Sequence, residues 1–151
     1  FISAIGLTDA SGYKRDFFEV TGAGYRNKIA GVGFVVGSFS MVGIPMFAGF
    51  VSKLMFAQAA IEDASWRMFP AIIVLSISTI LNAVYFLKTV LRIYTPMPKE
   101  QQEAKGYVNI SWKQHKVYAV AIVLFIIVNV FLGCNSKPIL MLIEQGLHNF
   151  M

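Results

Sequence analysis

Lys53 stands alone in apolar surroundings: the nearest acids or bases along the chain are Lys28 and Glu62. An ammonium at mid-membrane costs about 2.5–3.5 kcal/mol on insertion scales. It therefore needs a partner, a water-filled cavity or a way out to the interface. Removal from water favours the neutral amine of a lysine, and a lysine exchanging between its two forms can relay a proton. The alternative is that Lys53 lays its stem along the helix and holds its charge at the outer interface. Upstream of it stand Gly43-Ile44-Pro45 and Gly49. Proline removes an N–H donor and clashes with the carbonyl four residues back, so this stretch is either a proline kink or a full break. A broken membrane helix is tolerated where its freed backbone groups face protein or water, and such breaks build ion sites in transporters. A second set, Ser78, Asn82, Tyr85 and Thr89, recurs at helical spacing, with Ser76 and Thr79 near it. Ser78, Asn82, Tyr85 and Lys88 form either a polar wall holding water beside Lys53 or ordinary hydrogen bonding between helices. Lys88 and Arg92 lie at the end of that helix, in position to snorkel.

The elements that must position these groups follow from composition. Of 151 residues, 56% are hydrophobic and 14% charged, against about a quarter charged in soluble domains. Mean hydropathy is +0.62. Ile29 to Ser52, Met68 to Leu87 and Val117 to Ser136 contain no acid or base. Each reaches the roughly 20 residues that span the hydrocarbon. The expected fold is an all-α membrane protein with three transmembrane helices, the first broken near Gly43–Pro45, and a C-terminal amphipathic helix. The expected segments are 1–28 leading in from the cytoplasmic side, 29–61 as the discontinuous helix, and 68–95 as the second. A cytoplasmic loop at 96–116, a third helix at 117–135 and the amphipathic helix at 136–151 complete the chain. An unbroken helix from Ile29 to Ile61 would run roughly 50 Å against about 30 Å of hydrocarbon. Something must tilt, break or extend it.

Charge placement sets the sidedness. Lys14, Arg15, Arg26 and Lys28 precede the first span, and Lys99, Lys105, Lys113 and Lys116 follow the second. Arg67, beside Glu62 and Asp63, and Lys137 are the only bases of the other loop and the tail. Lys/Arg-rich loops stay cytoplasmic, so the N-terminal segment faces the cytoplasm and the C-terminus the opposite side. This sidedness accounts for the net charge of +5 without a nucleic-acid footprint, for which the interleaved basic and aromatic stripe is missing. A single cysteine, Cys134, and two separated histidines, His115 and His148, offer no metal-ligand spacing; no metal and no cofactor is expected. Gly22-Ala23-Gly24 lacks the third glycine of a dinucleotide loop. Gly33 and Gly37 form a small-xxx-small pair that signals close helix packing. A start at Phe1, with no signal-peptide pattern, suggests a piece of a longer membrane protein.

From Gly43 to Lys53 the sequence reads Gly-Ile-Pro-Met-Phe-Ala-Gly-Phe-Val-Ser-Lys. This resembles the antiporter-like, proton-translocating membrane subunits of NADH-quinone oxidoreductase (respiratory complex I, subunits L, M and N). Subunits A and D of Mrp-type sodium/proton antiporters and the membrane arms of energy-converting hydrogenases share the pattern, usually Gly-Ile-Pro-Pro-x-x-Gly-Phe-x-x-Lys. Asn82 to Lys88 resembles the end of the family's next helix. The resemblance implies that Lys53 is the proton-relay lysine of a discontinuous helix in a bacterial plasma membrane. It implies other membrane subunits as partners, upstream helices of the same subunit, and a proton or sodium cargo, with redox chemistry elsewhere. Two features depart from the pattern: Met46 replaces the second proline, and the usual Met-Pro before the helix is replaced near Asn27-Lys28-Ile29. A structural membrane segment without an ion path is the alternative.

Overall fold

The computed structural model describes residues 1–14, 16–62, 66, 68–107, 109–110, 116–137 and 141. Among them the regular elements are all helical: α1 (Ile2–Asp9), α2 (Ala23–Arg26), α3 (Lys28–Val42), α4 (Ala48–Glu62), α5 (Met68–Ile93), α6 (Lys99–Ala104) and α7 (Lys116–Cys134). Of the expected amphipathic helix, residues 138–140 and 142–151 lie outside the described residues, as do 63–65, 67, 108 and 111–115 of the expected loops and residue 15 of the lead-in.

Helix ends follow local chemistry. The Asn27 side chain accepts from the Ala30 N–H at 3.2 Å and starts α3, satisfying one of the orphan donors of a first turn. Pro70 sits in the first turn of α5, where no intrahelical partner is lost. Pro96 and Pro98 follow the end of α5 and block its continuation. α5, with 26 residues, and α7, with 19, are each long and apolar enough to cross a membrane.

The first span, expected as a helix broken near Gly43–Pro45, is two helices, α3 and α4, on either side of 43–47. α3 and α4 are 15 residues each, about 22 Å apiece, so neither crosses about 30 Å of hydrocarbon alone. The continuous crossings among the described residues therefore number two, and the third expected one is a pair of half-length helices in series.

α3 is the hub, packing against α1, α2, α4, α5 and α7. Leu7, Ala23, Ala30, Ile93 and Ile122 form the buried cluster beside it. Gly33 admits Ser3 and Ile122 into close contact, whereas Gly37 faces open space, so only half of the small-residue pair packs. Residues 2–9 also differ from a plain lead-in. They form α1, which lies along α3 and α7, and the Tyr118 hydroxyl donates to the Ile2 carbonyl at 2.5 Å. By contrast α5 turns Ile73, Val74, Ile77, Ile80, Leu81 and Val84 outward, an apolar surface too extensive for a water-soluble monomer.

The two basic segments meet at one end of the helices. Arg26 is buried, with Nε donating to the Ala10 carbonyl at 3.1 Å. Its Nη1 donates to the Thr21 carbonyl at 2.9 Å and its Nη2 to Ser11 Oγ at 2.9 Å. The guanidinium stacks 4.2 Å from the Tyr107 ring centre. Burial pulls its pKa below the ordinary value, against the opposing influence of Tyr107, and an arginine still keeps its proton there. Glu19 gathers Lys105 at 3.1 Å, Lys14 at 3.8 Å and the Tyr107 hydroxyl, which donates to it.

Candidate functional site: a lysine on a helix break

The break is built by a left-handed glycine. Gly43 has φ +87°, a region where a Cβ costs roughly 1–2 kcal/mol. The Gly43 N–H donates to the Ser40 carbonyl at 3.1 Å and the Ile44 N–H to the Phe39 carbonyl at 3.0 Å. That pair of bonds is the Schellman ending of a helix. Pro45 then prevents the turn from resuming as helix. Met46 takes φ +83°, a value that proline, fixed near −65°, cannot adopt. The replacement of the family's second proline by methionine is thus matched by the local backbone. Gly49 is required for a different reason: a Cβ there would collide with the Ser40 carbonyl oxygen, because the two half-helices approach closely.

Lys53 bridges the two halves. It lies in the second turn of α4, and helix side chains lean towards the N-terminus of their helix, which here is the break. Its Nζ donates to the Val42 carbonyl oxygen at 2.9 Å and to Thr79 Oγ1 at 3.0 Å. The Val42 carbonyl is one of the last in α3 and has no acceptor role within the helix. The ammonium also sits at the negative end of the α3 dipole, an arrangement worth about 0.3–1 kcal/mol and more when partly buried. Thr79 passes the chain on, its hydroxyl donating to the Leu75 carbonyl at 2.8 Å. The Lys53 stem lies against Gly43, whose absent side chain leaves it room: a Cβ there would stand 2.9 Å from Lys53 Cδ.

The other half of the break is capped from α7. The Ala48 N–H, at the start of α4, donates to Asn129 Oδ1 at 3.3 Å, and the Gly49 N–H donates to Ser40 Oγ at 3.1 Å. Asn129 Nδ2 donates to the same Ser40 Oγ at 3.2 Å. Two freed donors thus find side-chain acceptors, as a helix start inside apolar surroundings demands.

Of the residues singled out by type and spacing, Gly43, Pro45, Gly49 and Lys53 come together at the break. On α5 the group that reaches Lys53 is Thr79; Ser78, Tyr85 and Lys88 are exposed and Asn82 is half-buried. Spacing along α5 defines a polar stripe but not the rotation that aims it, and packing on α3 and α4 turns Thr79 inward. Ser40 and Asn129 carried no charge and gave no motif. Their one signal was polarity inside charge-free windows.

An all-α membrane chain organised around an interrupted helix, with a lysine turned back onto the interruption, is the class that these features define. No family model matches the chain. The chain is similar to NADH-quinone oxidoreductase subunit N of Rhodococcus opacus, 28% identical over 140 residues, which cover 93% of this chain and 24% of the relative. Subunit N of Flavobacterium johnsoniae is 29% identical over 130 residues, 85% of this chain and 25% of the relative. A putative antiporter subunit mnhD2 of Staphylococcus haemolyticus is 32% identical over 112 residues, 66% of this chain and 21% of the relative. These similarities agree with the resemblance carried by Gly43 to Lys53: the chain is similar to membrane subunits of NADH-quinone oxidoreductase and to a putative antiporter subunit. It spans about a quarter of the length of the curated relatives it matches.

Proposed function

We propose that the chain is the C-terminal part of a proton-translocating, antiporter-like subunit of a complex I-type NADH-quinone oxidoreductase, with Lys53 as a relay in its proton path. The observation that carries the reading is the Lys53 ammonium seated between the Val42 carbonyl and the Thr79 hydroxyl. A snorkelling lysine extends towards the headgroups; this one folds back onto freed backbone inside the helix pair. Among the described residues its charge is held by the dipoles of a carbonyl and a hydroxyl. Its proton affinity then responds to any charge that approaches or leaves along the path. A neighbouring charge in the rest of the subunit would drive the amine between its two forms, and water would carry the proton onward. Electron transfer belongs to other subunits in this reading. The basic 1–28 and 96–116 segments face the cytoplasm of a bacterial plasma membrane and the C-terminus faces outward, in keeping with their shared end of the fold and with charge asymmetry.

The test is Lys53→Ala in the intact complex, reconstituted into vesicles and scored for proton uptake per assembled complex. Loss of translocation with assembly preserved supports the relay. Full translocation by the Ala variant refutes it and favours a purely structural segment. Similarity to the putative antiporter subunit supports a second reading, a sodium/proton antiporter subunit of the Mrp type. Sodium-dependent proton flux without an electron donor distinguishes it.

A further inference from the structure

We infer that Asn129 is a positioning residue for Lys53: α7 clamps the break through Asn129 and Gly133, and that clamp holds the two half-helices in the register at which Lys53 meets the Val42 carbonyl. The inference deepens the relay reading and rests on it.

The geometry is a closed set of contacts. Asn129 uses both ends of its amide. Its oxygen accepts from the Ala48 N–H of α4 and its nitrogen donates to Ser40 Oγ of α3. Ser40 Oγ in turn accepts from the Gly49 N–H of α4. One side chain of a third helix is therefore bonded to both sides of the interruption. One turn further along the same face of α7, Gly133 lies directly against the Met46 carbonyl and Phe47. Any Cβ at Gly133 would strike that backbone, so α7 can approach the non-helical linker only because this position is glycine. Met46, at φ +83°, is the strained residue of the linker, and the close contact from α7 falls on it.

The consequence for Lys53 is mechanical. Val42 belongs to α3 and Lys53 to α4, and only the linker 43–47 joins the two covalently. A lysine can bond a carbonyl on the other half-helix only while the halves keep their offset. Asn129 and Ser40 bond across that offset on the side of the break occupied by α7. Lys53 bonds across it to the Val42 carbonyl on the side where its amine also meets Thr79 of α5. Asn129 does not touch Lys53 and takes no proton. It fixes where the amine sits.

The experiment uses the full complex in vesicles and reads two quantities, the amount assembled and the proton translocation per assembled complex. Asn129→Leu keeps the branched shape and removes both bonds. It should leave assembly within about twofold and lower translocation per complex by roughly 10- to 100-fold, the scale of an ångström of misplacement at a reacting group. Asn129→Gln, which retains both amide functions, should recover part of the loss. Ser40→Ala removes the same bridge from the α3 side without added bulk. It should reproduce the defect, and it decides the matter if the Leu variant assembles poorly. In Ser40→Ala/Asn129→Leu the loss should be no larger than in the worse single variant, as for members of one clamp. Wild-type translocation per complex in both Asn129→Leu and Ser40→Ala, with Lys53→Ala inactive, overturns the clamp and leaves the relay standing. An active Lys53→Ala overturns the relay itself.

Discussion

Substituting Gly43 separates the two demands that meet at the break. Gly43→Ala adds a Cβ at φ +87°, costing roughly 1–2 kcal/mol of backbone strain. The same atom would stand 2.9 Å from Lys53 Cδ and 3.5 Å from both Cε and Nζ. Carbons pack at about 3.5–4.0 Å, so the stem must retreat by about 0.6–1.1 Å. A shift of the stem at Cδ strains the 2.9 Å bond of the ammonium to the Val42 carbonyl, because distances beyond about 3.2 Å weaken it. Backbone strain alone would reduce the yield of folded complex. Displacement of Lys53 would reduce proton translocation per complex, by roughly 10- to 100-fold. Gly43→Asn distinguishes them, because asparagine tolerates the left-handed region yet still carries a Cβ. Its yield should approach wild type while its translocation stays low. The assay is vesicle acidification normalised to assembled complex. Translocation near wild type in both variants would refute the claim that Gly43 makes room for the lysine.

Further predictions concern the partners of the site and the docked loops. Thr79→Val removes the hydroxyl partner of Lys53 at nearly constant volume and should lower translocation per complex roughly tenfold, the equivalent of one charged hydrogen bond; Thr79→Ser should restore most of it. Arg26→Ala leaves the buried Ala10 carbonyl and the part-buried Thr21 carbonyl without their donor and removes one of the two partners of Ser11; it should destabilise the fold by about 3 kcal/mol, read as a lowered thermal midpoint in detergent. The Tyr107 hydroxyl and then Lys105 hold the Glu19 carboxyl below its ordinary value, so its contribution is present at neutral pH and fades as pH falls through that lowered value. Lys105 is raised, chiefly by Glu19, so its contribution is lost as pH rises through its elevated value. Proteolysis of the 99–107 segment, followed against pH, should therefore increase at both extremes, and Glu19→Gln should flatten both limbs.

The sequence made the break legible because Gly43, Pro45 and Gly49 act through the backbone, and backbone consequences are local. The apolar helices were legible for a similar reason, since length and absence of charge are read directly. What escaped was set by contacts between helices. Ser78, Asn82 and Tyr85 share a face by spacing, but the inward face of α5 is fixed by its packing on α3 and α4, which selects Thr79. Ile2–Asp9 is too short to register by periodicity and becomes a helix through tertiary packing, with Tyr118 bonded to Ile2. Asn129 carries no signal in the sequence beyond polarity, and an amide in an apolar helix is commonly interhelical glue. Only its pairing with Ala48 and Ser40, far along the chain, shows what it joins.

The most direct test of the central claim is proton translocation by Lys53→Arg in the reconstituted complex. Arginine keeps the positive charge and can still donate to the Val42 carbonyl and Thr79, but it cannot release its proton. If Lys53 works by changing charge, the Arg variant assembles normally and its translocation per complex falls to the level of Lys53→Ala. Translocation by the Arg variant at wild-type rate would contradict the relay, because a fixed charge would then suffice.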